Sequence, residues 1–156
     1  MKPHTSADEP AELSTIRIVL LWTLVLGCAG TLAELLLLGH DESPAQFVPL
    51  VLLSGGIVVG LSAHAAPSVI GLRALQGLMV AFLVSGLIGV GLHYRGNQEF
   101  ELERQPTAAG YPLFSKVVTG ATPVLAPGSM SLLGAVGLAL TYRHPLLRST
   151  AETLSS

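Results

Sequence analysis

The sequence predicts an all-α integral membrane protein: a four-helix bundle with a longer outer loop and a broken or re-entrant Pro/Gly turn before the last span. Composition is the first reason. Half of the 156 residues are apolar, the mean hydropathy is +0.62 and only 12% of the residues are charged, whereas a soluble domain carries about 25%. The second reason is that the apolar residues gather in four runs, three of them close to the roughly 20 residues that cross a bilayer as a helix.

Composition and motifs also exclude several classes of protein. The net charge is −2, so there is no basic surface for nucleic acid. One cysteine rules out an intramolecular disulfide and a cysteine-based metal cage. The sequence contains no nucleophile elbow, no phosphate-binding loop and no His-Glu-x-x-His pair. No cofactor motif is evident. A membrane enzyme is therefore the poorest functional interpretation of this sequence.

The first predicted span follows a polar amino-terminal segment. Residues 1–15 lack apolar periodicity, which predicts a flexible tail. Residues 16–38 form the span, and Gly39 is a residue type that ends helices. Glu34 lies about one turn before that end. A carboxylate at this depth faces protein or a water-filled cavity, or it reaches the headgroups, and both interpretations of Glu34 stay open.

The second and third spans are predicted to be antiparallel neighbours. Residues 46–66 form the second span, and within it Gly56 and Gly60 make a GxxxG pair, a pattern typical of close helix contact in membranes. The third span covers residues 68–93. Because the connection between the two spans is so short, they must run side by side in opposite directions.

The third span carries a stripe of small residues along one face. Every fourth residue between Arg73 and His93 is small: Gly77, Ala81, Ser85 and Gly89. Small residues at this spacing let the backbones of two membrane helices approach closely. We therefore predict that these four residues form a helix-packing face, together with the GxxxG pair of the second span.

The predicted outer segment, residues 94–125, has two parts. Over residues 99–103, glutamates alternate with Phe100 and Leu102. This period of two predicts an extended piece. Residues 111–120 then predict a short interfacial helix.

Two prolines and a glycine precede the last span, which is predicted over residues 126–143. Pro123, Pro127 and Gly128 are incompatible with an undisturbed helix. They predict a broken or re-entrant turn that packs against protein, where irregular backbone is tolerated at membrane depth. The alternative is one long kinked span over residues 115–142.

The single membrane domain is thus predicted to cover residues 16–144, with a polar tail over 145–156. Four spans place both termini on the same side of the bilayer. That side has more Lys and Arg than the other, which predicts that it is cytoplasmic, in the inner membrane of a bacterium. The basic residues are Lys2, Arg17, Arg73, Arg143 and Arg148 on the side of the termini, and Arg95, Arg104 and Lys116 on the other.

The outer side of this topology collects candidate metal ligands. They are Glu34, His40, His93 and Glu99. Imidazole and carboxylate together suit a divalent ion such as zinc, manganese or iron, so a divalent metal is the cofactor that this cluster would hold. The competing interpretation is that His93 anchors the end of a helix and that the acids solvate a loop.

Two functional interpretations from different classes follow. The first is a non-enzymatic bundle that acts as an assembly or interaction module, with the lipid bilayer and a homo-oligomer or larger membrane complex as partners. The second is a ligand-binding or transport-related protein with an outer His/carboxylate site for a metal ion or proton. The small-residue faces favour the first interpretation, and the outer cluster favours the second.

Overall fold

A computed structural model describes residues 11–40, 43–120 and 122–148 of the chain. Over these residues the regular structure is helical, without any strand. The helices are α1 (Ala11–Leu37), α2 (Pro44–Ala65), α3 (Val69–Arg104), α4 (Gly110–Val118) and α5 (Gly128–Thr141). The all-helical class predicted from the sequence is therefore confirmed for the part of the chain that the structure describes.

Three of the helices suggest an integral membrane protein. α1, α2 and α3 are each long and apolar enough to cross a membrane, with 27, 22 and 36 residues. α5 is also apolar but has 14 residues. At 1.5 Å per residue it is about 21 Å long, which is less than the roughly 30 Å of a hydrocarbon core.

Local sequence explains where these helices begin and end. The Ser68 hydroxyl accepts a hydrogen bond from the Gly71 backbone N–H at 3.1 Å, so it caps the amino terminus of α3. Gly39 has a φ of +63° just after α1, a conformation that glycine adopts without a steric penalty. The short connection between Ala65 and Val69 makes α2 and α3 antiparallel neighbours, as the sequence predicts.

The helices surround an apolar core. α1 packs against α2 and α5, and α3 packs against α2, α4 and α5. Fully buried side chains from three helices meet at the centre: Leu24 of α1, Leu53 of α2, and Leu75, Met79 and Phe82 of α3. Large apolar side chains also cover much of the outer surface of the long helices. Such a surface is unfavourable in water and suits hydrocarbon.

The closest helix contact lies between α3 and α5, and it depends on glycine. A Cβ atom at Gly134 would lie 2.7 Å from the Met79 carbonyl oxygen, and one at Gly86 would lie 2.7 Å from the Ser131 backbone nitrogen. The Ser131 hydroxyl donates to the Leu83 carbonyl at 3.0 Å. The two backbones therefore touch, which is the geometry that small residues permit in membrane helices.

The prediction of an extended piece around Glu99 is wrong, because α3 continues as a helix to Arg104. A helix that is already formed gains one backbone hydrogen bond for each residue added, and Glu, Gln, Arg and Leu are good helix formers. Two ion pairs between residues one helical turn apart lie on this last part of α3. Arg95 lies 3.9 Å from Glu99, and Arg104 lies 3.7 Å from Glu101.

Other boundaries move by a few residues. α1 begins at Ala11, so residues 11–15 are helical although the sequence assigns them to the amino-terminal tail. The predicted short helix over residues 111–120 is present as α4. Residues 122–127 form bends and turns rather than helix, so the structure has no continuous helix over 115–142. Whether this turn re-enters the bilayer stays a prediction.

Candidate ligand-binding groove

A cavity of about 640 Å³ lies between α2 and α3, beside the turn that precedes α5. We call it the α2–α3 groove and define it by six of its lining residues: His40, Gln46, Pro49, Ala81, Ser85 and His93. Sites for small molecules in proteins usually have volumes of roughly 300–1,000 Å³. The groove is therefore large enough for a small-molecule ligand.

The walls of the α2–α3 groove are mostly apolar, and they reach the molecular surface. Val48 of α2 and Val84, Ile88 and Leu92 of α3 line it, and each of these side chains is between 49% and 57% exposed. α2 and α3 are both membrane-span candidates. The medium beside the groove would then be hydrocarbon, so apolar molecules dissolved in the bilayer could enter from the side.

The small-residue stripe of α3 has a different place from the one its spacing suggests. Ala81, Ser85 and Gly89 line the α2–α3 groove, and a Cβ atom at Gly89 would lie 2.6 Å from the side chain of Pro127. Gly77 is exposed, and nothing lies within 4 Å of a Cβ built there. Within one chain, the stripe thus forms a groove wall and an open surface.

The GxxxG pair of α2 is buried between helices. A Cβ atom at Gly56 would lie 3.0 Å from the Phe82 ring and 3.1 Å from the Cys28 sulfur. At Gly60 the nearest atoms belong to α1, and Leu21 is 3.8 Å away. α1 can therefore approach α2 along this pair.

Apart from the Ser85 hydroxyl on the α3 wall, the polar side chains of the groove lie at one end. His40 follows α1, Gln46 lies in the first turn of α2, and His93 lies on α3 at the same end of the α2–α3 pair. His93 Nδ1 is 3.1 Å from the carbonyl oxygen of Pro123. Gln46 Oε1 accepts a hydrogen bond from the Ser43 backbone N–H at 2.9 Å. The groove thus joins a long apolar wall to a small polar end.

The predicted metal ligands are only partly brought together. His40 and His93 share the α2–α3 groove, but Glu34 and Glu99 are exposed and do not line it. Glu99 forms an ion pair with Arg95. Among residues 11–40, 43–120 and 122–148, no three His, Cys, Asp or Glu residues are grouped so that they could hold a metal ion.

Two polar residues with structural roles were missed by the sequence analysis. Asn97, treated above as part of the outer segment, is helical and only 4% exposed. It could have been found, since it lies four residues after His93 and continues the four-residue spacing of the stripe. Arg17 of α1 donates to backbone carbonyls at the carboxyl end of α5, including that of Leu140. No sequence pattern indicates this contact.

Arg17 also borders a second, smaller cavity at the opposite end of α2 and α3. This cavity has a volume of about 90 Å³, and His64 and His144 line it as well. Its remaining wall is apolar. The two ends of the helices therefore differ: one opens into the α2–α3 groove, and the other closes around Arg17.

Comparison of the chain with protein-family models, with curated proteins and with solved structures finds no match.

Proposed function

We propose that the chain crosses a membrane four times, through α1, α2, α3 and α5, as a compact four-helix bundle. The helix contacts support this arrangement, because α2 and α5 each pack against both α1 and α3. The turn at residues 122–127 adds length before the short α5. An even number of crossings places both termini on one side, and the excess of Lys and Arg there favours the cytoplasm.

The function that the geometry supports best is the binding of an apolar ligand in the α2–α3 groove. The observation that carries this proposal is the groove itself: a cavity of about 640 Å³ with apolar walls and polar groups at one end. Small-molecule sites are mostly apolar and contain a few polar groups that orient the ligand. The α2–α3 groove has this composition. We therefore propose that the chain is a binding protein rather than an enzyme.

The test replaces a small residue of the groove wall with a larger one. Ala81→Leu places a larger side chain inside the α2–α3 groove, and Ala74→Leu makes the same change at an exposed position of the same helix. We expect the purified wild-type protein to bind hexadecanol saturably, one molecule per chain, as counted by native mass spectrometry. Ala81→Leu should weaken this binding by about fivefold or more, since overpacking a fitted site costs about 1–3 kcal/mol.

Ala74→Leu should bind hexadecanol as the wild type does. Loss of binding in both variants would point to general disturbance of the detergent-solubilised protein. Equal binding in all three proteins would place hexadecanol on the outer surface and would overturn the groove as the site.

A second candidate function is assembly with another copy of this chain. The observation that favours it is Gly77, which is exposed and has open space where a Cβ atom would lie. A glycine on the surface of a membrane helix allows the backbone of a second helix to approach. The α3 face around Gly77 would then pack against a second copy. Gly77 does not line the α2–α3 groove, although it lies one turn before Ala81 on the same face of α3.

A divalent metal remains the weaker proposal for the polar end of the groove. His40 and His93 would be the ligands, because both line it. Two imidazoles leave a zinc-type ion short of its usual four ligands, so the site would need donors from a ligand or from elsewhere in the chain. Metal content of the purified protein, compared between wild type and His93→Asn, tests this proposal.

A further inference from the structure

The Pro123 carbonyl selects one tautomer of a neutral His93 side chain. Its Nδ1 lies 3.1 Å from the Pro123 carbonyl oxygen, and a carbonyl oxygen can only accept a hydrogen bond. Nδ1 therefore carries the proton and donates. A neutral imidazole has one N–H, so the other nitrogen, Nε2, is an acceptor. His93 offers an acceptor to a ligand in the α2–α3 groove.

Gln46 offers the opposite kind of group. Its Oε1 accepts a hydrogen bond from the Ser43 backbone N–H at 2.9 Å, which fixes the orientation of the amide at the start of α2. The Nε2 amino group is the part of this side chain that can serve a ligand, and it donates. The polar end of the groove thus has a donor on α2 and an acceptor on α3.

A ligand that enters from a bilayer therefore meets one acceptor, His93 Nε2, and one donor, the Gln46 amide, at the polar end of the groove.

We propose that the α2–α3 groove binds an uncharged amphiphile whose head group is a hydroxyl, such as a long-chain or isoprenoid alcohol. The hydroxyl would donate to His93 Nε2 and accept from the Gln46 amide. Ethers and esters can only accept, so they would leave an acceptor of the site without a donor. Carboxylates and phosphates bring the same mismatch and a charge that would be costly beside apolar walls. This inference rests on the proposed function of the groove.

The experiment compares probes that share one chain and differ in the head group. Hexadecanol, hexadecyl methyl ether and palmitate are titrated separately into the purified protein at mildly alkaline pH, and bound molecules are counted by native mass spectrometry. We expect hexadecanol to bind about tenfold more tightly than the ether, because one buried acceptor left without a donor costs on the order of 1.4 kcal/mol. Palmitate should bind most weakly.

A variant of His93 separates ligand binding from folding. In His93→Asn the side-chain amide can still donate to the Pro123 carbonyl, but the acceptor at the Nε2 position is lost. Its affinity for hexadecanol should fall to that for the ether. His64→Asn is the matched control, since His64 lies at the other end of α2, outside the groove, and this variant should keep the tenfold preference.

The outcomes distinguish the two proposals. Equal binding of alcohol and ether, or tighter binding of the ether or of palmitate, would overturn the hydroxyl head group while leaving the groove as an apolar site. A preference for the alcohol that survives in His93→Asn would also overturn it. Failure of all three probes to bind the wild type would overturn the proposed function of the groove, and the head-group inference with it.

Discussion

Asn97 connects three parts of the outer segment through one side chain. Its amide nitrogen donates to the Val117 carbonyl at 2.9 Å and to the Thr122 carbonyl at 2.7 Å, and its oxygen accepts from the Thr122 backbone N–H at 3.3 Å. Gly120 packs directly on it, since a Cβ there would lie 2.8 Å from the Asn97 side chain. Asn97 thus fixes the end of α4, and with it the turn that leads to α5.

Asn97→Leu should therefore destabilise the fold. Leucine is similar in size, but it leaves the Val117 and Thr122 backbone groups without their partner. We expect the free energy of unfolding to fall by about 1–3 kcal/mol, measured by circular dichroism during unfolding of the detergent-solubilised protein. Glu103→Leu, an exposed change on the same helix, should have little effect. Similar losses in both variants would contradict the role of Asn97.

Residue spacing alone did not distinguish the two faces of α3. Glycines fall on both: Gly86 packs against the backbone of α5, while Gly77 has open space around it. Both are small residues inside an apolar run, and small residues in membrane helices do favour close contacts. Which of them meets a neighbour depends on where α5 lies, and the sequence of α3 contains no information on that.

At the scale of single elements, α3 shows why a local period can mislead. Alternation of glutamate with Phe100 and Leu102 is typical of a strand, but a strand needs a partner for its backbone groups. Residues 99–103 follow directly on a long helix. By continuing that helix, their backbone N–H and C=O groups form hydrogen bonds within the same segment. The helix therefore continues to Arg104 instead of giving way to a strand. Asn97, within this helix, then lies where it can bond to the end of α4 and to the turn before α5.

Arg17 of α1 donates hydrogen bonds to the backbone carbonyls at the carboxyl end of the short helix α5. Arg17 donates to the Leu140 carbonyl, to the Tyr142 carbonyl at 3.0 Å and to the Arg143 carbonyl at 3.3 Å. The last carbonyls of a helix have no partner within the helix and carry its negative dipole end. A guanidinium at this place both satisfies them and opposes their charge, and it ties α5 to α1.

Arg17→Leu should loosen the last turn of α5. We expect backbone amides near residue 140 to exchange with deuterium about 5–30 times faster, which corresponds to a loss of about 1–2 kcal/mol in local stability. Hydrogen-exchange mass spectrometry in detergent measures this. Arg95→Leu removes an exposed arginine that pairs with Glu99 near the carboxyl end of α3 and should leave the last turn of α5 unchanged. Unchanged exchange in Arg17→Leu would show that the α5 end is held by other contacts.

For the whole molecule, the prediction concerns what covers the face of α3 that no other helix of the chain contacts. In the proposed membrane setting, lipid covers the large apolar side chains, and a second copy of the chain is the alternative near Gly77. The space around this glycine makes Gly77→Leu a clean probe, because a larger side chain there meets no atom of its own chain at Cβ. Gly89 is a poor probe for the same purpose, since a change there collides with Pro127.

Gly77→Leu should convert an oligomer into a monomer without loss of thermal stability, if self-association uses this face. Analytical ultracentrifugation of the detergent-solubilised protein measures the mass. Gly30→Leu is the matched control: Gly30 of α1 is also exposed and also has no atom within 4 Å of a built Cβ, and this change should leave the oligomer intact. A wild-type protein that is monomeric would contradict the assembly proposal.

By itself, the sequence predicted hydrocarbon as the surrounding medium and determined the helical structure of most of the described residues. Long apolar runs with few charges have one stable conformation in hydrocarbon, since a helix satisfies its backbone groups internally. The positions of α1 and α2, and of α3 as far as His93, follow from this rule and from the turn residues between them, and α4 was predicted as a short interfacial helix. The candidate residues His40 and His93 were also chosen from the sequence, as members of an outer cluster.

Tertiary structure alone decided what these elements do together. It separated Glu34 and Glu99 from the two histidines, placed Ala81, Ser85 and Gly89 along the α2–α3 groove, and brought Arg17 to the end of α5. The physical reason is that each of these facts depends on the distance and angle between helices. Those are set by the packing of residues far apart in the chain, such as Gly86 with Ser131, and no local spacing encodes them.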